Sequence, residues 1–416
     1  MLDMRSTANT MIKNIIAENM PEASVKKALS EHDFANKNIY LVAIGKAAYT
    51  MAAAAHATLG NKIKKGVVIT KYDHPGDPLP GIDIFEAGHP TPDENTVTAS
   101  QKALELIQNL SPNDEVLFLV SGGGSALFEA PKEGITLDIL VNITNDLLAS
   151  GADIVEINML RKRLSKVKAG GFAKLCAPAS VFAIVLSDVL GDRLDTIASG
   201  PAAADMSTVE DALGIIEKYK LSLPQVALDY IKEETPKEVT NVKTVITGSV
   251  KSLCTSAAMS AQALGYKPYV LTTTLSCEAS EAGKFLAQIA VDTKRGETSF
   301  KTPCAIIVGG ETVVHLKGKG KGGRNQEIAL AAAKAIAGVD GTLVFSVGSD
   351  GTDGPTDAAG GIVDEHSLSK LKAIGHKVDT VLANNDSYNS LKEIDGLIIT
   401  GPTGTNVNDV AVVLCK

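Results

Sequence analysis

The run 316–327, LKGKGKGGRNQE, interleaves cations with glycines and leads into an alanine-rich segment. Backbone N–H groups beside Lys and Arg can hold a phosphate, so a P-loop is the first reading to test. It fails, because no Gly-Lys in this run is followed by Ser or Thr, as G-x-x-x-x-G-K-[ST] requires. What remains is a mobile cationic lip that brings Arg324 to the start of a helix near 325–336, with Asn325 beside it as a further donor. The planar guanidinium can take a phosphate or carboxylate with two hydrogen bonds.

Other chemistry-bearing residues follow short apolar runs. Gly45-Lys46-Ala47-Ala48 puts a lysine at a helix start, where the helix dipole disfavours a cation unless an anion binds there too. The alternative is a solvated lysine at a loop edge. Ser121, Gly122, Gly123, Gly124 and Ser125 form a turn able to aim several N–H groups at an anion, or a turn that simply needs positive φ. Asp188 and Asp192 follow the run 180–187, as Mg²⁺ ligand, as a group orienting a hydroxyl, or as turn caps. Asp350 and Asp353 lie in GSDGTDGPTD, which is not an EF-hand loop: the sixth position counted from Asp350 is Pro355, where glycine is required. A Mg²⁺ or substrate-hydroxyl loop is the better reading. Thr403 and Asn406 add donors in GPTGTN. A dinucleotide site is disfavoured, since Gly45-Lys46-Ala47-Ala48-Tyr49 is not G-x-G-x-x-G and the next strand ends in Lys71-Tyr72-Asp73.

The elements that must position these residues are apolar strands alternating with helices. Strands are expected at 38–44, 66–71, 82–87, 114–120 and 180–187, with helices at 47–58, 93–109, 136–149, 153–167 and 170–176. That alternation predicts a three-layer α/β/α domain with a parallel sheet. The polar stretch EETPKEVTNVK predicts a boundary at about 236–242. A second α/β domain with a mixed sheet then starts at strand 243–247 and continues with strands 268–274, 342–347 and 396–400 and a hairpin over 304–317. The N-terminus reads as an amphipathic helix, neither signal peptide nor membrane span. With 416 residues, a net charge of −8, 4% aromatics and no Trp, the chain suits a globular protein and not a nucleic-acid binder. Five scattered cysteines without C-x-x-C argue for reduced thiols in the cytoplasm and against structural zinc.

Taken in order, the motifs resemble the class II glycerate kinases, whose C-terminal half is called the MOFRL domain. The resemblance is carried by Gly45-Lys46-Ala47, Gly88-His89-Pro90 with Pro92-Asp93, Ser121–Ala126, Arg161-Lys162 with Leu164-Ser165, Ser187-Asp188-Val189 and Ser199-Gly200-Pro201. It continues through Gly309–Thr312, Gly322–Glu327, Ser349–Gly354 and Gly401–Asn406. It implies a Rossmann-like first domain over 1–237, an α/β MOFRL domain over 238–416, and a cleft between them. It further implies ATP and Mg²⁺ as cofactors, D-glycerate as acceptor and 2-phosphoglycerate as product. The family pattern places a lysine and an arginine at the active site, matching Lys46 and Arg324, with the 121–125 turn as anion cradle. Asp188 is the candidate base or metal ligand, and Asp192, Asp350 and Asp353 are alternates. One departure stands out: Lys168-Ala169-Gly170-Gly171 replaces an expected Lys-Gly-Gly-Arg. Small-molecule partners only are expected, with no membrane and with homo-oligomerisation left open. The rivals are an NAD(P)H-dependent hydroxypyruvate reductase, a kinase for another small hydroxy acid, and a non-catalytic sugar-acid sensor.

Overall fold

The computed structural model describes residues 3–34, 36–73, 76–187, 189, 191 and 193–416. Within these, the chain divides into two compact units, one of Pro21–Thr247 and one of Met1–Met20 with Gly248–Lys416.

The first unit is built on a sheet of β1 (Asn38–Ile44), β2 (Ile63–Lys71), β3 (Ile82–Ala87), β4 (Asp114–Val120), β5 (Ser180–Leu186) and β6 (Val242–Gly248), in the order β3-β2-β1-β4-β5-β6. The pairings from β3 through β5 are all parallel. This is the doubly wound order of Rossmann-like sheets. All seven residues of β4 are buried, as the continuous apolar run requires of a strand covered on both faces. Phe118, Phe128 and Phe172 pack together in this core. Helices Leu137–Ala149, Ile154–Arg163, Val209–Tyr219 and Gln225–Ile231 form a separate apolar cluster around Leu140, Leu147, Leu160 and Ile215.

The second unit carries β7 (Lys267–Leu275), β8 (Cys304–Gly310), β9 (Thr342–Gly348), β10 (Gly360–Asp364), β11 (Leu397–Ile398) and β12 (Asp409–Cys415), in the order β11-β10-β9-β12-β8-β7. β7 runs parallel to β8, and the remaining neighbours are antiparallel. The sheet is therefore mixed, as expected.

Several expectations need correction. The break falls at 247/248 and not at 237/238, because strand 242–248 completes the first sheet, and Val181 of β5 donates its N–H to Asn241 O just before it. The N-terminal helix Met4–Glu18 belongs to the second unit: Asn14 and Asn19 donate to Ser260 and Ser256 of helix Val250–Ala263, and Met11 and Ile15 are fully buried. The hairpin over 304–317 is absent. β8 stands alone there, and 311–313 runs beside 275–279 through bonds from Glu311 N to Leu275 O and Val313 N to Cys277 O. Of the run 396–400, only Leu397–Ile398 pairs as strand.

Candidate active site

In the first unit the order of strands reverses between β1 and β4, and open α/β sheets bind ligands beyond the carboxyl ends of their strands at such a point. Both predicted loops are there, held backbone to backbone. Gly45 has φ +112°, and a Cβ at that position would lie 2.3 Å from Ser121 Oγ. Lys46 N donates to Gly122 O (2.8 Å), and Ala47 N donates to Ser121 Oγ (3.0 Å), which itself donates to Ile44 O (3.2 Å). The Ser121 hydroxyl is thus a buried clamp between strand ends and is not free for a ligand. Gly124 packs against Ala198.

The turn leaves the N–H groups of Gly122, Gly123 and Ser125 without an acceptor among the described residues. Gly123 takes φ +83° at this turn, the left-handed conformation found in backbone nests that bind anions. The Lys46 side chain packs on Gly123: a Cβ there would stand 3.3 Å from Lys46 Cγ. Its ammonium has no acidic or hydrogen-bonding partner among the described residues. An unpaired cation whose stem packs on a turn with three unpaired amides is suited to an anion.

The turn is braced from beneath. Lys168 Nζ donates to Ser125 O (2.8 Å) and Phe128 O (3.1 Å) and lies 3.5 Å from Glu129. Both side chains of this ion pair are fully buried, and burial lowers the Lys168 ammonium to about 8 against the pull of Glu129. Ser125 Oγ shares a hydrogen bond with Ser199 Oγ (2.6 Å), so this predicted ligand hydroxyl is also engaged. Gly171 is explained by contact, since a Cβ there would sit 2.3 Å from Lys166 O and the arginine of the family pattern would not fit without a backbone shift.

In the second unit Arg324 opens helix Arg324–Ala332. Its Nε and Nη2 donate to Asp409 (2.5 and 3.3 Å) and its Nη1 to Glu311 (3.1 Å), so two of the five guanidinium N–H donors stay open. Asp409 starts β12 opposite Gly310 and Gly348, where no side chain crowds it. Burial pushes its carboxyl up to about 6, even though Arg324 pulls the other way. Asp353 caps the same helix, accepting from Asn325 N (3.1 Å), Gln326 N (2.9 Å) and Gln326 Nε2 (3.0 Å). Asn325 is buried and accepts from Ser346 Oγ (2.5 Å). Thr403 donates to Ser349 O (2.5 Å). These three predicted ligands therefore serve the scaffold. Asp350 accepts from Thr352 N through one oxygen, and Asn406 is half-buried in the 401–408 loop. Asp188 and Asp192 lie outside the described residues.

The lysine-glycine run is not a mobile lip. Its backbone is fastened to 384–388 by bonds from Lys317 N and Gly318 N to Asn385 Oδ1, from Gly320 N to Asn384 O, and from Lys321 N to Asp386 Oδ1. A Cβ on Gly318, Gly320 or Gly322 would come within 2.1–2.4 Å of that segment, while Lys317, Lys319 and Lys321 face outward. The glycines are there for close approach.

Residues 7–232 match a family model described as a domain of unknown function (DUF4147), and residues 304–409 match the MOFRL family. The chain is 51% identical to a D-glycerate 2-kinase of Thermotoga maritima over 98% of both chains. It is 44% identical to a glycerate 2-kinase of Pyrococcus horikoshii over 90% of this chain and 87% of that one. The chain belongs to the glycerate 2-kinase family. The crystal structure of a glycerate kinase from Thermotoga maritima superposes with a TM-score of 0.96, at 51% identity, over 99% of each chain. The two sheets described above are therefore the fold of this glycerate kinase family.

Sequence reasoning assigned no role to four residues at these glycerate kinase-like loops. His89 follows β3 and reaches the Gly123 turn; its place after a strand end was the available signal. Lys168 was noted only as part of the departing Lys-Ala-Gly-Gly run, since a lysine beside glycines reads as surface, and Glu129 gave no signal. Asp409 was hidden by the omission of β12.

Proposed function

We propose that this chain transfers the γ-phosphoryl group of ATP to a hydroxyl of D-glycerate, giving 2-phosphoglycerate and ADP. The observation that carries the reading is the unpaired Lys46, whose stem packs on Gly123, together with the free N–H groups of Gly122, Gly123 and Ser125 at the strand-order reversal. In phosphoryl transfer the glycerate oxygen bonds to the γ-phosphorus, the bond to the β–γ bridging oxygen breaks, and its electron pair leaves with ADP. Positioned cations and N–H donors then stabilise charge on the three equatorial oxygens. Lys46 and Arg324 are the cations assigned to the phosphoryl group and the substrate carboxylate. Asp409 and Glu311 hold the Arg324 fork in a fixed orientation, which suits bidentate recognition. Asp188 is assigned the hydroxyl proton.

Mg²⁺ is bound in such sites by one or two carboxylates together with substrate phosphates, and supplies charge neutralisation there. Asp350 fits that use, since its second oxygen has no partner among the described residues. Asp353 does not, because its oxygens are taken by the helix cap. Among the described residues no group of three or more His, Cys, Asp or Glu is placed to hold an ion. Asp350 is accordingly the carboxylate proposed to meet the nucleotide-bound ion.

Lys46→Ala and Arg324→Ala should each lower kcat/KM for glycerate by about 10²–10³, the scale of losing one charge-stabilising group. Arg324→Lys separates charge from geometry, since it keeps the cation and loses the fork. Near-normal turnover in both alanine variants would overturn the assignment. Phosphorus NMR of the product distinguishes 2- from 3-phosphoglycerate, and NADH oxidation with hydroxypyruvate in the absence of ATP would instead establish the reductase.

A further inference from the structure

The loop after β3 lies on this edge and has been given no role so far. Gly88 leads out of the strand and packs on Asp93, whose carboxylate would stand 2.9 Å from a Cβ at that position. Asp93 in turn caps helix Glu94–Ile107 and accepts from the Tyr72 hydroxyl (2.6 Å). His89 is thus mounted on a loop fixed at both sides. Its ring lies over the anion turn: a Cβ on Gly123 would be 2.9 Å from both Cδ2 and Nε2 of His89, on the same side as the Lys46 stem. Among the described residues neither ring nitrogen has a hydrogen-bond partner, although the residue is half-buried. A side chain held this firmly with its polar atoms unspent is arranged for something that is not protein.

The chemistry of the neighbours narrows what that is. Burial and the charges of Lys46 and Lys71 push the His89 imidazolium down to about 4, so the ring is neutral at physiological pH. A neutral imidazole offers one N–H donor and one lone pair, the complement of a hydroxyl, which also donates once and accepts. Lys46 and the free amides are the complement of an anion. A carboxylate with a hydroxyl one or two carbons away presents both groups together.

We propose that His89 is a substrate-contacting specificity residue, its neutral imidazole hydrogen-bonding a hydroxyl of the hydroxy acid whose anionic group lies against Lys46 and the Gly122–Gly123 turn. The proposal rests on the glycerate kinase reading and deepens it by assigning the group that reads the hydroxyl. Without that hydroxyl the polar ring nitrogen faces an apolar carbon in a partly dry site, which is how a hydrogen-bonding pocket rejects a deoxy analogue.

The test compares wild type, His89→Phe and His89→Gln. Wild-type turnover of glycerate with ATP is measured first, so a wild type without activity condemns the kinase reading itself. With an active wild type, D-lactate (no 3-hydroxyl) and 3-hydroxypropionate (no 2-hydroxyl) are titrated as competitive inhibitors against each variant. The expected result is a fall of about 10–100-fold in kcat/KM for glycerate in His89→Phe. The ATP KM should stay within about twofold, and the preference for glycerate over one of the two analogues should collapse. His89→Gln, which restores a donor and an acceptor, should recover most of that preference. If His89→Phe keeps the wild-type preference over both analogues, or both variants lose activity with that preference intact, His89 is only scaffold and the proposal fails.

Discussion

His89 and Lys168 bear on the same turn, and both environments lower the folded value, so each contributes stability that rises with pH, in different windows. For His89 the folded value of about 4 lies below the ordinary 6.5, so the unfolded chain takes up a proton first as pH falls. Stability from the neutral ring is complete above 6.5 and is lost as pH drops through about 4. His89→Asn should therefore flatten the decline in Tm between pH 6.5 and 4.5; parallel declines would show that the ring does not feel Lys46 and Lys71. Lys168 falls from 10.5 to about 8, so above pH 8 the unfolded chain holds a proton that the folded one releases. Unfolding free energy should rise from pH 8 to 10 relative to the double variant Lys168→Met/Glu129→Gln, which removes both charges and so avoids stranding one. Urea titrations at the two pH values check this, and a flat difference would refute it. At this scale the sequence was a fair guide to which residues are special and a poor guide to why. Ser121, Asn325 and Asp353 have ligand-like side chains, yet burial turned each into a strut, and burial depends on contacts far along the chain.

The elements that position Arg324 are a capped helix and a strap laid against a neighbouring segment. Asp353 meets four donors at the start of helix Arg324–Ala332, so Asp353→Ala should cost about 2–3 kcal/mol, a lost cap plus a buried amide left unsatisfied. Chemical denaturation of the full chain measures it, and a cost under about 0.5 kcal/mol would mean the cap is dispensable. Gly320→Ala would force a methyl to within 2.4 Å of Asp386 Cβ and should lift the strap, releasing the bonds to 384–386. Faster amide exchange at Gly320 and Lys321 would report it; unchanged exchange would show that the strap carries no strain. Strands β1, β4 and β5 were readable because each is dominated by a continuous apolar run. β12, DVAVVLC, carried the same signal and was overlooked. β10, GGIVD, offered little, as its first glycine is needed where a Cβ would lie 1.9 Å from Ser346 O, a contact invisible before the strands pair. ETVVHLK has the β-branched content of a strand, but it lies beside 275–279, where only a few of its amides find partners.

The whole molecule is two units in which the second encloses the first in sequence. Ile15 and Met11 are fully buried within the Met1–Met20 and Gly248–Lys416 unit, and Ile15→Ala should cost about 2–5 kcal/mol. Hydrogen exchange should localise that loss to helix Val250–Ala263 and its surroundings, leaving β1 and β4 protected; equal deprotection of both units would show that they unfold as one. No helix among the described residues is long and apolar enough to cross a membrane.

Helix Met4–Glu18 also has a timetable imposed on it. Its docking partner, helix Val250–Ala263, is translated some 230 residues later, and at roughly 5–20 residues per second the ribosome needs on the order of 12–46 s to deliver it. Through that interval the whole of Pro21–Thr247 can emerge and close its own sheet, while Met11 and Ile15 have no surface to cover them. A helix made this early is among the last to be seated, and nascent chains halted before residue 250 should be where chaperones find it exposed.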